Sequence, residues 1–398
     1  MALSIVNVTV FDGVSDDLID GPVHIDGDRI TAVGGDAETA DLVIDARGGT
    51  VLPGLIDAHF HAYGIGLDLL DIEARPPSYV ALSGARRLAK ALSRGFTTVR
   101  DVAGGDAGLG KAIAEGMIPA PRYLYTGPGL SQTGGHGDAR DVDRDVCAGH
   151  SHMVEVVDGV EAVRRAVRDR FRRGAHAIKL MTSGGVMSLT DPIRIPQYSA
   201  DEVRAATDEA RRRGSYVAAH AYSPEAIRHS VDNGVRSIEH GNLLDADTAA
   251  LMARHGAFLV PTLAAYHAID RRGAELGLAP VSQAKNREVL DAGRTAIELA
   301  RAAGVAIGFG TDLMGSLEEE QLTGLQLQME ADGALNTLRS ATSVNADLIG
   351  RPDLGRVQPG CVADLLIVEG NPLTTPSLLW SAHRTVIQAG RPTTAVDH

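Results

Sequence analysis

Between Val51 and Arg356 the chain alternates eight short apolar runs with segments of helical periodicity, an order that few folds accept. The runs cover 51–59, 96–102, 122–127, 175–181, 215–221, 236–240, 257–262 and 304–311, each of about strand length and rich in Val, Ile, Leu and Ala. Segments between them, such as YVALSGARRLAKALSRG, SADEVRAATDEARRRG and SPEAIRHSVDNG, repeat apolar residues at helical spacing and close on Gly, the usual residue just past a helix end. Ser199 followed by Glu202 forms a capping-box signature that starts a helix there. Eight β–α units in one uninterrupted region predict an α/β protein with a (β/α)8 TIM barrel. A doubly wound open sheet is the alternative. It would not bring scattered strand ends to one point, and no GxGxxG follows the first strand.

The two ends of the chain have a different texture. ALSIVNVTVFDG, GPVHIDGDRITAVGG and ADLVIDARGG alternate in β fashion between Gly/Asp turns, as a small antiparallel sheet would, and CVADLLIVEGNPL and HRTVIQAGRP repeat the pattern near the end. Residues 1–50 plus 357–398 are therefore expected to form one small β-sandwich domain beside a barrel of residues 51–356.

Composition limits the partners. A net charge of −13, from 51 acidic and 38 basic side chains, argues against nucleic acid or an anionic membrane. The Arg-rich stretch 164–173 (RRAVRDRFRR) lies in a helical pattern and reads as a solvated helix face. Cys147 and Cys361 stand far apart, which suits a reducing compartment. The opening MALSIVNVTVFDG lacks the basic and apolar regions of a secretory signal, and no apolar stretch approaches the roughly 20 residues of a membrane span. A cytoplasmic protein is expected.

Six residues stand at the ends of the apolar runs: His59 and His61 in VLPGLIDAHFH, Lys179 in AIKLM, His220 in YVAAH, His240 in SIEH, and Asp312 after FGT. Strand alternation sends His59 and His61 to the same side, where two imidazoles can share a divalent metal. Lys179 lies in a run that should be buried, so its ammonium must lose its charge, pair with an acid, or be modified. His220 and His240 end successive strands. Asp312 can bind metal, take a proton from water, or simply cap the next segment.

Together these residues resemble the amidohydrolase superfamily, in its subtype with two metals and a carboxylated lysine. The resemblance rests on VLPGLIDAHFH, the GTD at 310–312 and the closing GRVQPGCVADLLIVEGNPL. It implies His59, His61 and Asp312 on one metal, His220 and His240 on the other, N6-carboxylated Lys179 bridging, and Asp312 as general base toward a bridging water of lowered pKa. Histidine with carboxylate ligands suits zinc best among divalent metals. GPGLSQTGGHGD, KLMTSGG and HAYSPEAI resemble the branch containing Xaa-Pro dipeptidases and related metallocarboxypeptidases. By that resemblance His136 and Tyr222 hold the carboxylate of a dipeptide or N-acyl amino acid, or the developing oxyanion. Arg140, Arg194 and Tyr198 are further candidates to meet a carboxylate, and His150 and His152 read as rim residues. Aryl-amide and carbamate hydrolases of mycotoxins and pesticides belong to the same branch, although an aromatic content of 4% offers no obvious stacking pocket. A one-metal cyclic-amide hydrolase or deaminase and a non-catalytic binding barrel are the remaining alternatives. Barrels of this kind often assemble as homo-oligomers.

Overall fold

The computed structural model describes residues 1–35, 40–140 and 152–393. The strands that carry or precede the candidate residues, Leu55–Phe60, Ile178–Met181, Val217–Ala221 and Ser237–His240, are buried along their whole length. A strand with both faces covered belongs in a parallel sheet flanked by helices, and that is what forms. Seven parallel strands run in the order Val154–Val156, Gly129–Ser131, Ile178–Met181, Val217–Ala221, Ser237–His240, Phe258–Val260 and Ala306–Ile307. Three more, Leu55–Phe60, Phe96–Asp101 and Arg122–Tyr125, form a second parallel sheet.

Backbone hydrogen bonds link the two parallel sheets on both sides. Ala58 N donates to Phe309 O at 2.9 Å and Asp312 N to His59 O at 2.8 Å, while His176 N donates to Tyr125 O at 2.7 Å. Register keeps strand ends level: Met181 faces His220, His220 faces Glu239, and Ala221 faces His240. Helices follow most strands and are capped as their sequences suggest. Ser199 and Glu202 complete the capping box of Ala200–Arg212, Ser223 caps Pro224–Asp232, and Asp245 caps Ala246–Arg254. Helix and strand faces meet in an aliphatic core that includes Val203, Ala206, Val217, Ile227 and Ile238. Among the described residues no helix is long and apolar enough to cross a membrane.

Both chain ends enter a third sheet of eight strands, in which Leu365–Val368 runs antiparallel to Leu42–Pro53. The amino-terminal part is not purely antiparallel as its alternation suggested. Ala2–Val10 and Leu42–Pro53 pair in parallel, because the hairpin Val23–Val33 intervenes and takes the antiparallel side of Ala2–Val10.

Several other expected boundaries shift. The run 51–59 divides at Gly54 into Leu42–Pro53 and Leu55–Phe60. A Cβ at Gly54 would lie 2.1 Å from Thr97 Oγ1, so only glycine lets the chain change sheets there. The run 304–311 is a strand only at Ala306–Ile307. Beyond it the Asn345 side chain bonds both Phe309 N, at 3.1 Å, and Phe309 O, at 2.8 Å, replacing a strand partner. The glycine-rich stretch GPGLSQTGGHGD contains the strand Gly129–Ser131, outside the eight runs. The Arg-rich helix Val160–Arg172 is not simply a solvated face: Arg170 is buried with a bond to Pro128 O, and Arg164 and Arg168 converge on Glu209.

Candidate functional site

His59 and Asp312 meet because the 308–312 segment bonds alongside the Leu55–Phe60 strand. Gly310 sits against His59, where any Cβ would come within 2.5 Å of His59 Cβ. Asp57 ties the two stretches together, accepting from His59 N at 3.1 Å, Thr311 N at 3.1 Å and Thr311 Oγ1 at 2.6 Å. Asp312 Oδ1 then lies 2.9 Å from His61 Nε2 and 3.4 Å from His59 Nε2. Donor atoms of His59, His61 and Asp312 all fall within 4.8 Å of one another, a spacing one cation can bridge. Burial alone would raise the Asp312 pKa, but the neighbouring imidazoles of His59, His61 and His240 hold it well below the usual carboxylate range.

His240 continues the group. Its ring centre is 4.9 Å from that of His59 and 4.5 Å from that of His220. Burial pushes the pKa values of His220 and His240 well below the ordinary imidazole value, so both rings are neutral, the state a metal requires.

Each imidazole has one nitrogen on a partner outside the cluster, which orients its ring, and the second nitrogen of His61, Nε2, also bonds Asp312 Oδ1 at 2.9 Å. His59 Nδ1 meets Glu239 Oε2 at 2.7 Å, His61 Nδ1 donates to Ala103 O at 3.2 Å, and His240 Nδ1 donates to Thr262 Oγ1 at 2.7 Å. His220 Nε2 donates to Gly184 O at 3.1 Å, leaving Nδ1. Neutral His220 and His240, with His59 and His61 beside the Asp312 carboxylate, form a donor set that fits a divalent metal.

Lys179 lines the same cavity. Among the described residues its Nζ has no hydrogen bond or ion pair. Burial pulls its pKa from 10.5 to about 8, against the opposing fields of Glu239 and Asp312.

His136 and Tyr222 also line this cavity. The His136 ring stacks on His220 with centres 4.1 Å apart, and burial lowers its pKa, so it is a neutral donor rather than a cation. Ser188 Oγ bonds His136 Nδ1, which fixes the ring by that nitrogen. Tyr222 closes a chain of hydroxyls. Thr262 accepts from His240 and donates to Tyr266 at 3.2 Å, and Tyr266 in turn reaches Tyr222 at 2.9 Å. Each hydroxyl has one proton, so this order leaves the Tyr222 O–H free to donate into the cavity. Burial holds its pKa far above the ordinary phenol value, and it stays protonated.

The other candidates lie elsewhere. Arg140 pairs with Asp138 at 2.6 Å in an adjoining outer chamber. Arg194 is mostly exposed and pairs with Glu288, and Tyr198 is buried in the core with its hydroxyl on Val157 O, so neither lines the metal cavity. His152 is absent from the cavity wall, its amide bonded to Glu73. His150 and Cys147 lie outside the described residues.

Sequence reading missed Arg100 and Glu239. Both are fully buried, and Arg100 Nη2 donates to Glu239 Oε1 at 2.7 Å while Glu239 orients His59. Their signal was available: a charged residue inside an apolar run, as at Lys179. Also missed was the apolar character of the cavity, whose wall includes Leu67, Met153, Met181, Met187, Met314 and Leu317.

Comparison with known proteins agrees with this geometry. Residues 50–392 match the model of the Amidohydrolase family. The chain is 34% identical over 345 residues to an ochratoxinase from Aspergillus niger, covering 81% of this chain and 71% of that one. Among solved structures, it is similar to a prolidase complexed with N-methylphosphonate-L-proline, at 41% identity, TM-score 0.96 and 99% coverage of both chains. It is also similar to a Xaa-Pro dipeptidase with bound methionine in the active site, at 30% identity, TM-score 0.89, and coverage of 99% and 100%. The chain belongs to the amidohydrolase family.

Proposed function

We propose that this C–N bond hydrolase uses two divalent metals, zinc by ligand chemistry, to cleave an amide beside a carboxylate, as a Xaa-Pro dipeptidase or N-acyl amino acid hydrolase. The convergence of His59, His61, Lys179, His220, His240 and Asp312 on one cavity carries this reading. In it the two parallel sheets close as a (β/α)8 barrel over 51–356, and residues 1–50 with 357–398 form the small β domain, a reading supported by the bonds from Ala58 to Phe309 and from His176 to Tyr125. His59, His61 and Asp312 would hold one metal and His220 and His240 the second, with N6-carboxylated Lys179 as a further ligand.

Bound there, the metals would polarise the scissile carbonyl and activate water. The chain's own groups do the rest. Asp312 takes the proton of the attacking water and passes it to the leaving nitrogen. Tyr222 O–H and the His136 imidazole donate to the substrate carboxylate or to the oxygen on which negative charge develops. The methionine and leucine wall exclude water and favour an apolar acyl group.

That wall also favours a second reading, hydrolysis of an aryl amide or carbamate, because methionine adapts to bulky apolar groups. It finds support in the similarity to the ochratoxinase. Zinc-loaded protein screened against Xaa-Pro dipeptides, N-acyl amino acids and aryl amides separates the readings. Turnover of the first two classes is expected, with Asp312→Asn slower by about 100-fold or more. Turnover confined to amides without a carboxylate selects the second reading. Full activity in Asp312→Asn and Lys179→Ala together would refute the mechanism.

A further inference from the structure

We propose that Lys285 is a positioning residue for His136, acting through the segment 183–198. The proposal builds on the reading of His136 as a substrate donor. In sequence Lys285 sits in VSQAKNREVL, an ordinary polar helix, and it is absent from the wall of the metal cavity. Its side chain is nevertheless only 14% exposed, turned away from water toward the segment that follows Ile178–Met181.

There the ammonium meets three carbonyls: Gly185 O at 3.1 Å, Ser188 O at 2.8 Å and Asp191 O at 2.6 Å. An ammonium has three protons and no acceptor, so these oxygens use its whole donor capacity. The Asp191 carboxylate lies 3.4 Å away and is itself buried.

The residues gripped are those that surround His136. Ser188 Oγ bonds His136 Nδ1. Asp191 Oδ2 accepts from Gly185 N at 3.2 Å and from Gln197 Nε2 at 3.1 Å, and Gln197 Oε1 accepts from His136 N at 2.8 Å. Gly185 packs flat against the ring, where a Cβ would lie 2.1 Å from His136 Cε1. The segment has no helix and a single β-bridge, Ser183 to Pro196, so it cannot hold this shape through a ladder of its own. Lys285 supplies the missing cross-links, and the segment in turn fixes the rotation of the imidazole.

The test compares Lys285→Ala and Lys285→Met with the metal-loaded parent by amide hydrogen exchange and by kinetics on a carboxylate-bearing substrate. Exchange in 183–198 is expected to rise about tenfold or more while the Val217–Ala221 strand keeps its protection. KM is expected to rise about tenfold with kcat changed by less than about threefold, since the carboxylate contact is loosened and the reacting groups are untouched. Methylammonium fits the space an alanine leaves and should recover part of the KM in Lys285→Ala, but none in His136→Ala. A merely structural lysine would not give that pattern. Unchanged exchange in both variants overturns the proposal, and so does raised exchange with unchanged KM. If the parent cleaves only substrates without a carboxylate, the reading of the site fails, and the same KM comparison on those substrates decides the role of Lys285.

Discussion

Lys179 carries an ammonium group into a fully buried strand, and burial lowers its pKa from 10.5 to about 8. That shift moves the balance between cation and neutral amine by about 3 kcal/mol toward the amine. Because the pKa of a base is depressed, the neutral form grows as pH rises through about 8 and is lost below it. Neutral amine is the form that adds CO2. Metal-stripped protein given zinc and bicarbonate is thus expected to regain activity faster above about pH 8 than below it. A regain rate flat across that range would exclude carboxylation of Lys179. Glu239 makes a second prediction, since it orients His59 and balances Arg100 at 2.7 Å each. Glu239→Gln should weaken metal binding about 10- to 100-fold in a metal titration. It should also destabilise the fold by about 3 kcal/mol in chemical denaturation, because Arg100 is left buried without its counter-charge. Unaltered metal affinity would mean that His59 needs no such support. Arg100 and Glu239 stand in apolar runs as Lys179 does, but their pairing was not legible, because cross-strand pairing leaves no mark on either strand alone.

Strand ends bring the ligand residues together, and the backbone at two of them is unusual. His240 and Asp312 have φ of 75° and 54°, the left-handed region that costs a residue other than glycine about 1–3 kcal/mol. Such conformations persist only where surrounding structure imposes them, here the Asp312 N to His59 O bond and the His240 contact with Thr262. Gly310 makes the first of these possible. Gly310→Ala places a methyl 2.5 Å from His59 Cβ and 2.7 Å from Val260 Cγ1, and must part the two elements. It is expected to cost about 2 kcal/mol in stability and to reduce metal content, both measurable on the purified variant. A stable variant with full metal would show that His59 and Asp312 need not lie so close. The apolar runs placed His59, His61, His220 and His240 within a residue of a strand end, whereas Lys179 lies inside Ile178–Met181 and Asp312 lies beyond the short Ala306–Ile307 strand. Strand limits were less legible: the break at Gly54 depends on its contact with Thr97, and the short Ala306–Ile307 strand on the side chain of Asn345, both distant in sequence.

At the scale of the molecule, the proposed metal centre draws on five separate stretches of chain and so would couple binding to folding. Removing the metals with a chelator is expected to lower stability by about 4 kcal/mol for each metal site, relative to protein held at a thousand-fold excess over the dissociation constant. The melting temperature should recover on adding zinc, and a melt indifferent to chelator would separate the metal from the fold. The alternation of apolar runs with helical segments made one shared cavity legible, because parallel strands in register bring neighbouring residues level. The methionine-rich wall was not legible, since Met153, Met181, Met187 and Met314 come from separate parts of the chain and meet only in the folded cavity. The most direct test of the binuclear centre is the metal content of protein loaded with zinc and bicarbonate, measured by plasma mass spectrometry against quantified chain. Two zinc ions per chain are expected, falling toward one in Lys179→Met; one ion per chain, unchanged by that substitution, would contradict it.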